Sequence, residues 1–154
     1  MIKEFYKSKE GNKKLSENFK VKEFACKDGT QKILIDMELI PIIQKFREFV
    51  KKPVPINSAY RTESYNKQVG GSSGSYHVKG QALDIPFRTD YENIDRSIYK
   101  MGDFFNTLKL KGIIKYYWGY HIDLRSYEYH AFSNGSHLTL SKINIPMKTV
   151  RKRK

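Results

Sequence analysis

In the run Tyr120-His-Ile-Asp-Leu-Arg125 apolar and polar residues alternate, and no other stretch limits the architecture so sharply. A strand's period of two puts His121, Asp123 and Arg125 on one face and Tyr120, Ile122 and Leu124 on the other. A sheet holding this strand would bury its apolar side under helices and leave the polar side open to a cleft. Spacing alone leaves two readings of that polar side: a histidine and a carboxylate placed for chemistry, or a His, an Asp and an Arg in cross-strand pairs.

The elements around it follow from periodicity. Asp36 reads as the N-cap of a helix on which Leu39, Ile43, Phe46 and Val50 recur, closed by Lys51, Lys52 and Pro53. Val54 to Tyr60 reads as a short strand, with Pro55 placing it at an edge. A short helix is expected over Thr62 to Val69, then a flexible loop through Gly70-Gly-Ser-Ser-Gly-Ser75. Gln81 to Phe87 reads as a strand, and Tyr91 to Leu110 as a long helix with Ile94, Ile98, Met101, Phe105 and Leu108 inward, ended by Gly112. Ile113 to Tyr117 and Tyr120 to Arg125 form a hairpin turning at Trp118-Gly119. The fold class is therefore α+β: a small, mainly antiparallel sheet with helices packed on one face.

At 154 residues the chain suits one domain, and its apolar fraction of 39% can build a core. We expect a flexible basic segment over 1–14, a folded domain over 15–140 and a basic tail over 141–154, the last carrying the cluster from Lys148 to Lys154. Cys26 is the single cysteine, which excludes an intrachain disulfide and the Cys-rich zinc patterns, so any metal must be held by His and carboxylate. With 29 basic against 16 acidic side chains, the formal charge of +13 implies attraction to polyanions without choosing among nucleic acid, lipid headgroups and anionic wall polymers. Neither a signal peptide nor a membrane span is legible, so membrane insertion is not expected.

The segment Ser75-Tyr-His77-Val-Lys-Gly80-Gln-Ala-Leu-Asp84 places an imidazole just before a predicted strand and a carboxylate within it. Gly80 allows a sharp turn between them. These are two potential zinc ligands or two unrelated polar residues, and the spacing does not decide.

Taken together, Leu15 to Gly29, Ile56-Asn-Ser-Ala-Tyr-Arg61-Thr, Tyr65 to Gly71, Ser75 to Ile85 and His121-Ile-Asp123-Leu-Arg125 resemble, in order, the motifs of the zinc D-alanyl-D-alanine carboxypeptidases, especially their small, often phage-encoded members. The resemblance implies the α+β fold shared with the amino-terminal signalling domain of hedgehog. It implies one zinc ion on His77, Asp84 and His121, with a coordination position left for water or substrate. Arg61 would approach the substrate's carbonyl oxygen or carboxylate, and Ser75 and Gln81 would support the site and its substrate. Trp118 stands where several branches carry an acidic residue, so the acid/base role passes to Asp123. Ala59 replaces a glycine common in the family, and the segment Ile113 to Gly119 is compressed. His130 and His137 lie outside the matched motifs, and Tyr116, Tyr117 and Trp118 are core residues or stacking platforms.

The function so implied is zinc-dependent hydrolysis of peptidoglycan stem peptides, as a carboxypeptidase or an endopeptidase of phage-lysin type. Such a protein would be made in the cytoplasm, act at the bacterial wall after release, and work as a monomer. The alternatives are an inactive zinc-binding module that recognises wall peptides or a protein partner, and nucleic-acid binding, for which no specific motif is present.

Overall fold

The computed structural model describes residues 1–134 together with His137 and Leu138. It contains strands β1 (Ile2–Tyr6), β2 (Lys32–Asp36), β3 (Ala82–Pro86), β4 (Gly112–Lys115), β5 (Gly119–Asp123) and β6 (Tyr129–Phe132), and helices α1 (Lys7–Glu10), α2 (Leu39–Val50), α3 (Glu63–Gln68) and α4 (Ile98–Thr107). β1 and β2 pair as an antiparallel ribbon, and the other four strands form a sheet in the order β3-β5-β4-β6. All pairings in that sheet are antiparallel except β4 with β6. The expected α+β architecture is present, with an additional two-stranded ribbon.

The alternation in β5 sets the layers. Tyr120 and Ile122 turn to the core beside Leu83, Ile85 and Ile113, all fully buried. Helices α2 and α4 close that side: Phe105 meets Tyr120 at a centroid distance of 6.1 Å and Phe46 at 4.9 Å, and Tyr91 stands edge-on to Phe46 at 5.5 Å. Burial of these aromatic side chains is the main stabilising term, at roughly 1.5–3 kcal/mol for each large apolar side chain removed from water.

Several expectations need correction. The segment 1–14 is not loose: β1 runs antiparallel to β2, Phe5 is buried, and the Met1 amine reaches Asp36 Oδ1 at 3.3 Å. Asp36 ends β2 instead of capping a helix. It still accepts the Glu38 amide at 3.1 Å, and α2 starts just afterwards, at Leu39. Val54 to Tyr60 is extended but makes a single bridge, Ser58 to Asp84, because Pro53 and Pro55 lack the amide hydrogens a ladder needs. The long helix from Tyr91 shrinks to α4. Asn93, Asp95 and Arg96 all take left-handed backbone angles, so the chain turns over Ile94 before Ser97 caps the helix by accepting the Lys100 amide at 3.2 Å. The basic tail, 141–154, lies outside the described residues.

Candidate metal centre

The register of β3 on β5 sets Asp84 directly opposite His121. Both side chains point to the face away from the helices, and β4 follows on the other flank with Ile114 opposite His121 and Gly112 opposite Asp123. His77 arrives from the loop before β3. Ser75 Oγ accepts the His77 amide at 3.2 Å, His77 O accepts the Arg61 amide at 3.0 Å, and a turn at Gly80 brings the chain into the strand. Gly80 has φ +73, and a Cβ there would lie 2.5 Å from Leu34 O, so both conformation and space demand glycine.

The result is a convergence of three buried side chains. His77 Nε2 lies 3.1 Å and His121 Nδ1 3.0 Å from the same oxygen, Asp84 Oδ1. One ligand atom from each of His77, Asp84 and His121 falls within 4.8 Å of the others. The far nitrogen of each ring is also engaged, His77 Nδ1 with Ala59 O at 2.6 Å and His121 Nε2 with Asp123 Oδ2 at 2.7 Å. A carbonyl and a carboxylate only accept, so those far nitrogens carry the hydrogens. In neutral rings the near nitrogens then present lone pairs toward a carboxylate oxygen, and a divalent cation between them resolves the repulsion. The donor set, two imidazoles and one carboxylate with hydrogen-bonded outer partners, fits zinc.

Burial and mutual contacts shift all four buried groups. Burial, the largest influence, pulls His77 below its ordinary value, outweighing the attraction of Asp84. Burial alone would raise Asp84, but His77 and His121 hold its carboxyl well below the usual range. Burial also works to lower His121, yet its hydrogen bonds to the Asp123 and Asp84 carboxylates carry it upward. Asp123 is opposed by burial too and is held low by Arg125 and His121.

A cleft of about 350 Å³ opens over this group, lined by Arg61, the glycine-rich loop, Tyr76, Tyr116, Arg125 and Tyr127 as well as His77 and His121. Arg61 is buried, donating to Ser58 Oγ at 2.9 Å, Asn66 Oδ1 at 3.1 Å and Asp84 Oδ2 at 3.3 Å. Asn66 in turn donates to Ser72 O at 2.8 Å, tying the loop to α3. Sequence reasoning assigned no role to Asn66, although it sits within a matched motif, nor to Arg125, although the period of two put it on the polar face.

Two expected site residues stand elsewhere than foreseen, and Trp118 is apart from the site. Gln81 is not on the cleft, and its amide goes to Asp36 Oδ2 at 3.0 Å. Asp123 is wholly buried behind His121, with Arg125 gripping both oxygens, and so is not beside the ligand atoms as a proton carrier. Trp118 is half-buried and stacks on Tyr116 at 5.0 Å, part of the hairpin turn and not of the ligand group. His130, as expected, is apart from the site and meets Leu110 O at 3.0 Å.

Comparison with known families decides the matter of kinship, because the peptidase M15 pattern matches residues 17–123, a span that holds His77, Asp84, His121 and Asp123 and stops short of Arg125. The chain belongs to the peptidase M15 family. M15 peptidases are zinc-dependent metallopeptidases, and the His77, Asp84 and His121 group of this M15 chain could hold such an ion. Among curated proteins none matches the chain. No helix among the described residues of this M15 protein is long and apolar enough to cross a membrane.

Proposed function

We propose that the protein is a zinc peptidase that hydrolyses peptide bonds in the stem peptides of bacterial peptidoglycan, as a D-Ala-D-Ala carboxypeptidase or an endopeptidase. The observation that carries this reading is the meeting of His77 Nε2, Asp84 Oδ1 and His121 Nδ1 beneath an open cleft. Zinc held there would polarise the scissile carbonyl and make hydroxide available near neutral pH. The chain's own residues do the rest. Arg61, anchored on Ser58, Asn66 and Asp84, offers a fixed positive charge at the cleft for a substrate carboxylate or developing oxyanion. Ser75 holds the turn that aims His77, and Gln81 supports β3 through Asp36. Tyr76, Tyr116 and Tyr127 shape walls suited to peptide groups. A net charge of +13 favours approach to anionic wall polymers. Action at the wall after release from the cell, by a monomer, completes this reading.

One observation favours a second reading, an inactive zinc-binding module that recognises wall peptides or a protein partner. No carboxylate is among the described residues that line the cleft, and Asp123 is enclosed. Mass analysis of fragments released from defined peptidoglycan, with and without a chelator, separates the two. Hydrolysis that is lost with the chelator and in His77→Ala is the expected result, and full activity in a metal-free His77→Ala preparation would falsify the zinc reading. Stoichiometric zinc without turnover on any stem peptide would establish the binding module instead.

A further inference from the structure

Arg125 lines the cleft, and the proposed chemistry gives it no role. Its Nε and Nη2 donate to the two oxygens of Asp123 at 2.8 and 2.7 Å, a paired grip that only a guanidinium can make. Its Cζ also lies 5.0 Å from the Tyr76 ring, 5.2 Å from Tyr127 and 4.7 Å from Tyr129. Tyr76 is the chain neighbour of His77, Asp123 faces His121 Nε2 at 2.7 Å, and Tyr129 begins β6. One side chain thus joins the loop that brings one imidazole to the strand that brings the other.

The opposing surface is shaped for this. Gly112, opposite Asp123 in the register, has no side chain, and a Cβ there would sit 1.9 Å from Asp123 Oδ1. The carboxylate therefore occupies a slot bounded by Gly112, Arg125 and His121, and it cannot swing toward the cleft while Arg125 holds both oxygens.

The geometry points to a positioning relay in which Arg125 fixes Asp123, and Asp123 fixes the imidazole of His121 so that Nδ1 faces the ligand point shared with His77 and Asp84. This rests on the metal-centre reading above. Asp123 in this role touches neither substrate nor ion. It orients a ligand, and the tyrosines around Arg125 hold the relay in register with the His77 loop. Loss of outer-sphere partners of this type lowers metal affinity by about 10–100-fold.

The test is competition of the purified full chain against a chromophoric chelator for Zn2+, with Co2+ absorption as a second readout of ligand geometry and the melting temperature of the metal-free protein as a control. Asp123→Asn should weaken metal binding by about 10–100-fold and alter the cobalt spectrum. Arg125→Lys, which keeps the charge and loses the paired donors, should weaken it by about tenfold while the metal-free protein still melts cooperatively. Gly112→Ala, which changes no polar group but crowds the carboxylate, should move affinity in the same direction. If folded Asp123→Asn or Arg125→Lys binds metal as the parent does, the relay is overturned. Unchanged affinity with turnover lost in Asp123→Asn would overturn it too, by making Asp123 a proton carrier. Should the parent chain itself bind neither Zn2+ nor Co2+, the metal-centre reading fails first, a result distinct from the other two.

Discussion

At the scale of single residues, the least comfortable group in the protein is Lys115. The register that sets Ile114 beside His121 sets Lys115 opposite Tyr120, on the side that faces the helices. Its ammonium is fully buried, 4.9 Å from the Tyr99 ring, and finds no hydrogen-bond partner among the described residues. The hydroxyls of Tyr99 and Tyr120 share that condition. Burial brings Lys115 down from 10.5 to about 8. Below pH 8 the amine is charged in both folded and unfolded chains, and the cost of enclosing that charge is fully present. Between 8 and 10.5 the folded protein sheds the proton first, so stability climbs with pH across that window. Urea midpoints measured from pH 7.5 to 10 should rise in the parent more than in Lys115→Met. The same substitution should stabilise the protein at neutral pH by about 1–3 kcal/mol, since an apolar chain of similar length replaces an unpaired charge. Equal pH slopes in the two proteins would show that Lys115 is not the group responsible.

At the scale of elements, α3 is short but holds the site together. It has six residues, too few to stand alone in water, so its cap matters. Thr62 Oγ1 accepts the Tyr65 amide at 3.2 Å, and one turn later Asn66 grips Arg61. Thr62→Ala should cost about 1 kcal/mol by chemical denaturation. It should also loosen Arg61, seen as a higher KM for stem peptides if Arg61 meets the substrate. This helix, like β3 and the β4–β5 hairpin, was legible in the sequence because cap, period and turn agree locally. The polar face of β5 was legible for the same reason, from the alternation at His121, Asp123 and Arg125. What escaped was non-local. Nothing in the polar start of the chain announces that Ile2–Tyr6 will find Lys32–Asp36, because the pairing partner supplies the burial of Phe5. The break before α4 was hidden because Ile94 keeps helical spacing with Ile98 while Asn93, Asp95 and Arg96 turn the backbone the other way. The enclosure of Asp123 was hidden as well, since it depends on Gly112 across the sheet and on Arg125 folding back over its own strand.

At the scale of the whole molecule, the three side chains proposed to hold zinc come from a loop and two strands that are distant in sequence, Asp84 and His121 being 37 residues apart. Their union depends on the complete pairing of β3 with β5 and on the ribbon behind them, where the Asp36 amide donates to Gly80 O at 2.8 Å and Gln81 reaches Asp36 Oδ2. An unfolded chain offers single imidazoles and carboxylates, not a chelating set. With zinc held as proposed, folding and ion capture would be one equilibrium, and free zinc would act as a thermodynamic lever on the entire domain: each tenfold excess over the dissociation constant would add about 1.4 kcal/mol to the folded state. Calorimetric scans at graded, buffered Zn2+ should show a logarithmic rise in melting temperature that His121→Ala abolishes, and a flat response in the parent would refute the coupling. Metal-poor surroundings would then leave the protein softer and easier prey for proteases, so that the register of two short strands would make the lifetime of this peptidase a gauge of the zinc around it.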